Sequence, residues 1–433
     1  MKNPLGLALA LALTSGALAQ TVGIVHLTLQ EASAQALHNH PQVLAAQNEA
    51  AAMGQEVIEA KAPYYPAVGA DATGTGANQQ ARIGAGAISA SRIFNRFGTG
   101  VAINQLITDS GRTPNLVATA RFRSAAAQRT YQATRYAVLL RVNQAYFGAL
   151  RAQATIKVAR DTVAARQLIV DLVTALYNNK LRSELDVSFA DVSLSEAQLL
   201  LIQAQDLEQE AFAELTRALG AEQNATYVLT EEPLPPSPAA DAEVLVAQAL
   251  GARPEVAALR SERDAASHFE RAERDLKLPT VSFVGLSGYI PYINQITLPR
   301  VIPNEYAGAA VDVHIPIFNG GLFSARREEA HFRLLEADQW LRDEEQVIAR
   351  DVRTAWASAS TAYQRLAVAA QLLREASLGL NLAQGRYQLG LASIVELTQA
   401  QLQVTEAQIA SLNAKYDYQS QYAGLQFTLG ALR

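Results

Sequence analysis

The sequence has no cysteine among its 433 residues. That absence excludes disulfides, metal sites built from thiolates, and a lipid anchor on an N-terminal cysteine. Beyond residue 19 there is no run of 18 or more apolar residues, which excludes a transmembrane helix. The formal net charge is −5 and no basic stripe is present, so we predict no nucleic-acid partner.

The N-terminus has the pattern of a secretory signal peptide. Lys2 supplies a positive charge, residues 5–13 form a short apolar core, and the sequence ALAQ offers a cleavage site after Ala19. We therefore predict a signal peptide over residues 1–19 and a mature chain outside the cytoplasm. There, a chain without a transmembrane helix is expected either to be free or to cross a membrane as a β-barrel.

The rest of the chain is duplicated. Pro254 lies 213 positions after Pro41, and Tyr387 lies 210 positions after Tyr177, each in a matching local sequence. Each half begins with a short amphipathic helix (roughly 29–61 and 241–276), followed by two strands, a long helix, a sharp turn and a second long helix. We predict a first structural repeat over 20–220, a Pro-rich connector over 221–240 and a second repeat over 241–430.

The four predicted strands are about 10 residues long and alternate between apolar and polar residues. In the segment AGAAVDVHIPI, Val311 and Val313 alternate with Asp312 and His314. Such strands are typical of an outer-membrane barrel, which has lipid on one face and water on the other. An ordinary soluble β-layer has the same pattern, so the strands alone leave both alternatives open.

The long helices are more informative about the fold than the strands. Helix-compatible sequence runs from Asn115 to about Leu176 and from Ser324 to about Leu389, roughly 90 Å each at 1.5 Å per residue. Their apolar residues recur at alternating steps of three and four, with small residues at every other position, as in Leu366, Ala369, Leu373, Ala376, Leu380, Ala383 and Tyr387. This heptad pattern predicts two coiled-coil hairpins whose far tips are the polar turns 178–184 and 388–394.

The predicted fold class is therefore mainly α with a β-barrel part. Four strands cannot close a barrel, for which about eight is the practical minimum, and an open edge is forbidden in lipid. Several chains must pool their strands. Strand count alone allows a dimer, a trimer or a tetramer.

The chain resembles the TolC-like outer membrane factor family, also called outer membrane efflux proteins. The segments that carry the resemblance are YQLGLASIVELTQAQ from Tyr387, NKLRSELDVSFADVSLSEAQ from Asn179, the strand-to-helix junctions NQLITDSGR and IPIFNGGL, and the terminal LG. The resemblance implies a homotrimer with a 12-stranded barrel in the outer membrane of a Gram-negative-type cell and a helical tunnel in the periplasm.

Such a trimer serves as the passive exit duct of a tripartite efflux or type I secretion system. The implied partners are outer-membrane lipid, a periplasmic adaptor (membrane fusion) protein, and an inner-membrane pump of the resistance-nodulation-division, ABC or major facilitator type.

The resemblance also implies a gate at the hairpin tips. Asp186 and Tyr387 match a linked pair of the family, and Glu396 matches an acid that forms a cation-attracting ring around the axis. The chain departs from the family pattern in the second turn, where Ala392 replaces a frequent arginine and Arg182 stands at the equivalent place in the first turn. A second ring acid is replaced by Gln399. The alternative is that these are solvated turn residues.

The adaptor is expected to dock on the two tips. The residues implied are Asn179, Lys180, Leu181, Arg182 and Ser183 in the first tip and Leu389, Gly390, Leu391, Ala392 and Ser393 in the second. Gly390 permits a positive φ at its turn, whereas Lys180 occupies that place in the other half, so we expect the two tips not to be equivalent.

No catalytic constellation stands out, so we predict no enzyme, no cofactor and no metal site. The motif HNH at 38–40 could bind a metal, but two histidines near a helix end are more often surface residues. The main alternative function is a periplasmic coiled-coil adaptor or scaffold without a pore, and a structural coiled-coil fibre is a second one. Two hairpins and two matched strand pairs in one chain count against both.

Overall fold

The computed structural model describes residues 25–76, 82–85, 88–92, 96–221, 227–239, 241–293 and 304–432. The predicted signal peptide lies outside these residues. The helices of the first half are α1 Leu29–Asn39, α2 Pro41–Lys61, α3 Arg112–Asn178 and α4 Glu184–Leu219. Those of the second half are α5 Ala242–Ala252, α6 Pro254–Arg274, α7 Leu322–Gln388 and α8 Ile394–Thr428. The two halves repeat one order of elements, so the internal duplication is confirmed.

The short helix that begins each half differs from its prediction. A single helix was expected over 29–61 and over 241–276, but each is two helices that meet at a proline. His40 and Arg253 have extended backbones, and Pro41 and Pro254 each begin a new helix. Proline disfavours the helical conformation in the preceding residue and is well suited to the first helical position. The prolines therefore set the bend.

Two long hairpins dominate the molecule. The helices α3 and α7 have 67 residues each, which makes them about 100 Å long. They begin two to three residues earlier than predicted, directly after Gly111 and Gly321. The first hairpin is α3 with α4, and the second is α7 with α8. The predicted small-residue seam is confirmed in the second hairpin, where Ala369, Ala383, Ala407 and Ala414 are buried.

At the opposite end from the tips, four strands form one antiparallel sheet. They are β2 Ala67–Thr75, β5 Arg96–Thr108, β7 Thr280–Ile293 and β8 Glu305–His314, in the order β2-β5-β7-β8. Between β2 and β5, a small hairpin is made by β3 Arg82–Ala85 and β4 Ile88–Arg92. No helix of the described residues is long and apolar enough to cross a membrane.

The connector is more than a spacer. Its strand β6 Tyr227–Leu229 pairs in parallel with β1 Val25–Leu27. The buried hydroxyl of Tyr146 lies 2.9 Å from the carbonyl oxygen of Leu27 and 2.7 Å from that of Thr230. Further along, the indole of Trp356 donates to the carbonyl of Ala239 at 2.7 Å. The connector thus fastens both hairpins around their middle, a role that the sequence did not reveal.

Candidate functional site

The two hairpin tips have the same backbone. We define the first tip as residues 179–183 and the second tip as residues 389–393. Lys180 and Gly390 both have a positive φ, +60° and +74°. Each donates its backbone N–H to the carbonyl of the tyrosine three residues earlier, Tyr177 at 2.8 Å and Tyr387 at 3.0 Å. Gly390 therefore adopts the conformation predicted for it, and Lys180 adopts the same one despite its side chain.

The helices that leave the tips are capped in two different ways. Ser183 and Ser393 each accept the backbone N–H of the acid three residues later, Asp186 at 3.3 Å and Glu396 at 3.2 Å. In the first tip, Asp186 Oδ2 accepts in return from the backbone and hydroxyl of Ser183, at 3.0 Å each. In the second tip, Glu396 Oε1 instead pairs with Nε of Arg386 at 3.1 Å.

The matching tyrosines also have different environments. Tyr177 is 41% exposed, whereas Tyr387 is 3% exposed. Tyr387 belongs to an apolar cluster that joins the two hairpins, with Val173, Ala190, Ala392, Ile394 and Leu397. Ala392 is part of this cluster, so a small residue at that position lets the second tip pack closely on the first hairpin.

Arg182 covers the buried tyrosine from the first tip. Its guanidinium lies 4.4 Å from the centre of the Tyr387 ring, and its Nη2 donates to the Tyr387 carbonyl at 3.3 Å. Burial raises the pKa of Tyr387, and the nearby charge of Arg182 opposes that shift. The Tyr387 hydroxyl is buried and has no hydrogen-bond partner among the described residues. The contact is a cation–π interaction reinforced by a charged hydrogen bond.

The structure brings only some of the predicted gate residues together. Arg182 and Tyr387 are in contact, while the Asp186 carboxylate is held by Ser183. Gln399 is exposed, and Glu396 is paired with Arg386, a residue that the sequence reasoning missed. The signal for Arg386 was a mismatch between the repeats, because Leu176 stands at the equivalent position in the first half.

A second polar contact joins the hairpins above the tips. Arg166 on α3 is 5% exposed, and its Nη1 donates to the side-chain oxygen of buried Gln401 on α8. Burial lowers the pKa of Arg166. A buried guanidinium is costly without partners, so this contact fixes the distance between α3 and α8. Nothing in the local sequence distinguished Arg166 from surface arginines.

The HNH motif is built differently from its prediction. His38 is exposed, but His40 is buried, and its Nδ1 accepts the backbone N–H of Gln42 at 3.2 Å. His40 is thus the N-cap of α2 rather than a surface residue. Burial and the nearby charges of Arg141 and Arg217 lower its pKa, which keeps the ring neutral and able to accept.

Both tips expose leucine side chains. Leu181 in the first tip and Leu389 and Leu391 in the second are each more than two-thirds exposed. Leucine at a turn exposed to water gains nothing for the fold of a single chain.

The sheet has one mainly apolar face and one mixed face that carries the aspartates. Strand pairing aligns Val68 with Ile103 and Phe283 with Val311 on the apolar face. On the other face, Asp71 is opposite Gly100, and Asp312 is opposite Ser282. Every residue of β8 is exposed, and the outer strands β2 and β8 each pair on one side only within the described sheet.

Comparison with known proteins agrees with this architecture. The model of the Outer membrane efflux protein family matches residues 32–221 and 245–431. The outer membrane protein TolC of Vibrio cholerae is 24% identical over 72% of this chain and 72% of its own. The alkaline protease secretion protein AprF of Pseudomonas aeruginosa is 24% identical over 78% of this chain and 66% of its own.

Solved structures show the same fold. The outer membrane protein VceC of Vibrio cholerae has a TM-score of 0.76 at 20% identity, over 93% of this chain and 96% of its own. With the family matched in both halves, this chain belongs to the outer membrane efflux protein family and is an outer-membrane protein. The predicted family, fold class, location and efflux function are confirmed, and the duct is favoured over the adaptor alternative.

Proposed function

We propose that three copies of this outer membrane efflux protein form one duct, with a barrel of pooled strands in the outer membrane and a helical tunnel in the periplasm. The tunnel takes cargo from an inner-membrane pump through a periplasmic adaptor. The protein performs no chemistry on its cargo. It provides a closed path, and the hairpin tips open or close its lower end.

The observation that carries this proposal is the sheet. One of its faces is mainly apolar, the other carries the aspartates among mixed residues, both are exposed in the single chain, and both edges of the described sheet are open. A soluble sheet would bury its apolar face against a core, whereas a barrel strand directs it into lipid. Four strands cannot close alone, and three copies would supply twelve, a number that matches the family's trimer.

The tunnel wall supports the same assembly. On α4, Leu185, Phe189, Val192 and Leu199 are exposed and recur at heptad spacing. The matching inner seam of α4 is already buried against α3 through Ala190, Ala197 and Ala204. A helix with a second apolar stripe needs a second helical neighbour, which the adjacent copy would supply.

We propose that the lower end is closed by the contact of Arg182 with Tyr387, supported by Arg166 with Gln401. Asp186 stabilises the start of α4, and Gln399 and Glu396 face the opening. The exposed leucines of the two tips form the surface for the adaptor's helical hairpins, which need an apolar end to bind. Lys180 in the first tip and Gly390 in the second make the two docking surfaces chemically different.

The first test compares lysine substitutions at neighbouring positions of β8. Val311→Lys places a charge on the apolar face, and Ala310→Lys places the same charge on the polar face. A lysine facing lipid costs about 2–4 kcal/mol at the bilayer midplane, so we expect Val311→Lys to reduce insertion and Ala310→Lys to be tolerated. Equal insertion of both variants, measured as heat-modifiable trimer in outer-membrane fractions, would contradict the proposed barrel.

The second test is the shape of the assembly. Detergent-extracted protein imaged by negative-stain electron microscopy should give threefold end views with a central hole, and side views longer than about 100 Å, the length of α3 alone. Single soluble particles without a detergent belt would instead support the periplasmic adaptor.

A further inference from the structure

The two halves place an acid at the same position of the same cap but use it differently. The Asp186 carboxylate closes the capping box with Ser183. The Glu396 backbone still donates to Ser393, but the Glu396 carboxylate pairs with Arg386 instead of closing the box. Among the charged differences between the two tips, the one that contacts the Glu396 carboxylate is Arg386, which replaces Leu176 of the first half. Where the arginine is present, the carboxylate is diverted from its cap.

Arg386 is fixed at both sides of the second tip. Its Nε lies 3.1 Å from Glu396 Oε1, and its Nη2 donates to the carbonyl of Leu391 at 3.4 Å. The guanidinium therefore spans the turn from the end of α7 to the start of α8. Both side chains are about half exposed, so the ion pair faces open space rather than the apolar cluster around Tyr387.

We propose that Arg386 determines the ionic selectivity of the lower opening of the duct by neutralising Glu396. The inference rests on the proposed function, since it requires that three tips meet at one opening. Wherever the three Glu396 carboxylates lie in that assembly, three guanidinium groups lie within hydrogen-bond distance of them. The opening then carries no net charge from this ring and admits anionic and cationic cargo alike, unlike the cation-attracting ring expected from the acid alone.

The size of the effect follows from simple electrostatics. Three uncompensated charges about 10 Å from the axis, screened by 0.1 M salt, would change the ratio of cations to anions at the opening by roughly fivefold. Removing the arginine should favour cations by that factor, and removing the acid should favour anions. Removing both restores the balance of the parent protein.

The test is the reversal potential of purified protein in planar bilayers under a potassium chloride gradient, for the parent, Arg386→Gln, Glu396→Gln and the double variant. We expect opposite shifts of several-fold in the permeability ratio for the single variants and a ratio close to the parent's for the double variant. Arg386→Lys, which keeps the charge, should behave as the parent. Arg374→Gln, on the exposed side of α7 three turns away, is the matched control and should shift nothing.

Unchanged selectivity in both single variants, with normal conductance, would overturn the role of Arg386 and leave the duct itself in place. An equal shift from Arg374→Gln would overturn it too, because the effect would then belong to the total charge of α7. A parent protein that forms trimers without conducting ions would contradict the proposed duct instead, which separates the two failures.

Discussion

Replacing Arg182 with alanine should open the lower end of the duct. The substitution removes the guanidinium from the face of Tyr387 and the hydrogen bond of 3.3 Å to its carbonyl. A half-exposed cation–π contact and a charged hydrogen bond of this length together contribute about 1–2 kcal/mol. If three copies open as one unit, the closed state loses about 3–6 kcal/mol, which changes the closed-to-open ratio by roughly 10²- to 10⁴-fold.

The assay is single-channel recording in planar bilayers. The parent protein should be mostly in a low-conductance state, and Arg182→Ala should spend most of its time in a higher one. Arg182→Lys keeps the charge but loses the planar group that stacks on the ring, so its open fraction should be intermediate. The channel must remain trimeric with an unchanged thermal midpoint, which excludes general unfolding of the tips.

The matched control is Glu184→Gln. It removes a charge from an exposed residue two positions from Arg182, without touching Tyr387. An Arg182→Ala channel with the parent's conductance and open fraction would refute the contact as a closure. An equal increase in Glu184→Gln would also refute it, because any loss of tip charge would then open the duct.

Five other substitutions test the turns and contacts of the hairpins by thermal unfolding. Lys180→Gly should raise stability by up to about 1 kcal/mol, while Gly390→Ala should lower it by a similar amount, because both positions have a left-handed backbone. Gln401→Leu should lower stability by about 1.5–3 kcal/mol, since buried Arg166 loses its acceptor, and Arg166→Met in the same chain should recover most of the loss. Tyr146→Phe should cost about 1–3 kcal/mol by removing the hydroxyl that ties β1 to the connector. A single variant as stable as the parent would contradict the argument made for that residue.

The long elements could be predicted because their signals accumulate over many residues. Alternating steps of three and four over more than 60 residues leave few alternatives to a helical hairpin, and the repeat supplied each prediction twice. The breaks at His40 and Arg253 were missed, although Pro41 and Pro254 marked them. The apolar pattern continues across each bend, so each pair of helices was predicted as one helix although the proline indicated a break.

The contacts of the site were harder to predict, because they depend on which hairpin lies against which. Tyr177 and Tyr387 occupy equivalent positions of the two repeats, yet one is exposed and the other is buried. Only the packing of the second tip on the first hairpin separates them. The role of Arg182 depends on that packing, and so does the burial of Arg166. The heptad pattern located the turns correctly, but neither it nor the resemblance could supply the partners of Asp186 and Glu396 in this chain.

The duplicated tips show which features of a turn are fixed by local rules and which are open to change. Both must end a 67-residue helix and begin another, so both keep the positive φ and the serine cap. Lys180 keeps the left-handed backbone that Gly390 adopts without strain, so the turn geometry is the same in both tips. Side chains around the turn are under no such restriction. A trimer built from these chains would therefore present six turns of one shape with two alternating chemistries, the lysine tip and the arginine–glutamate tip.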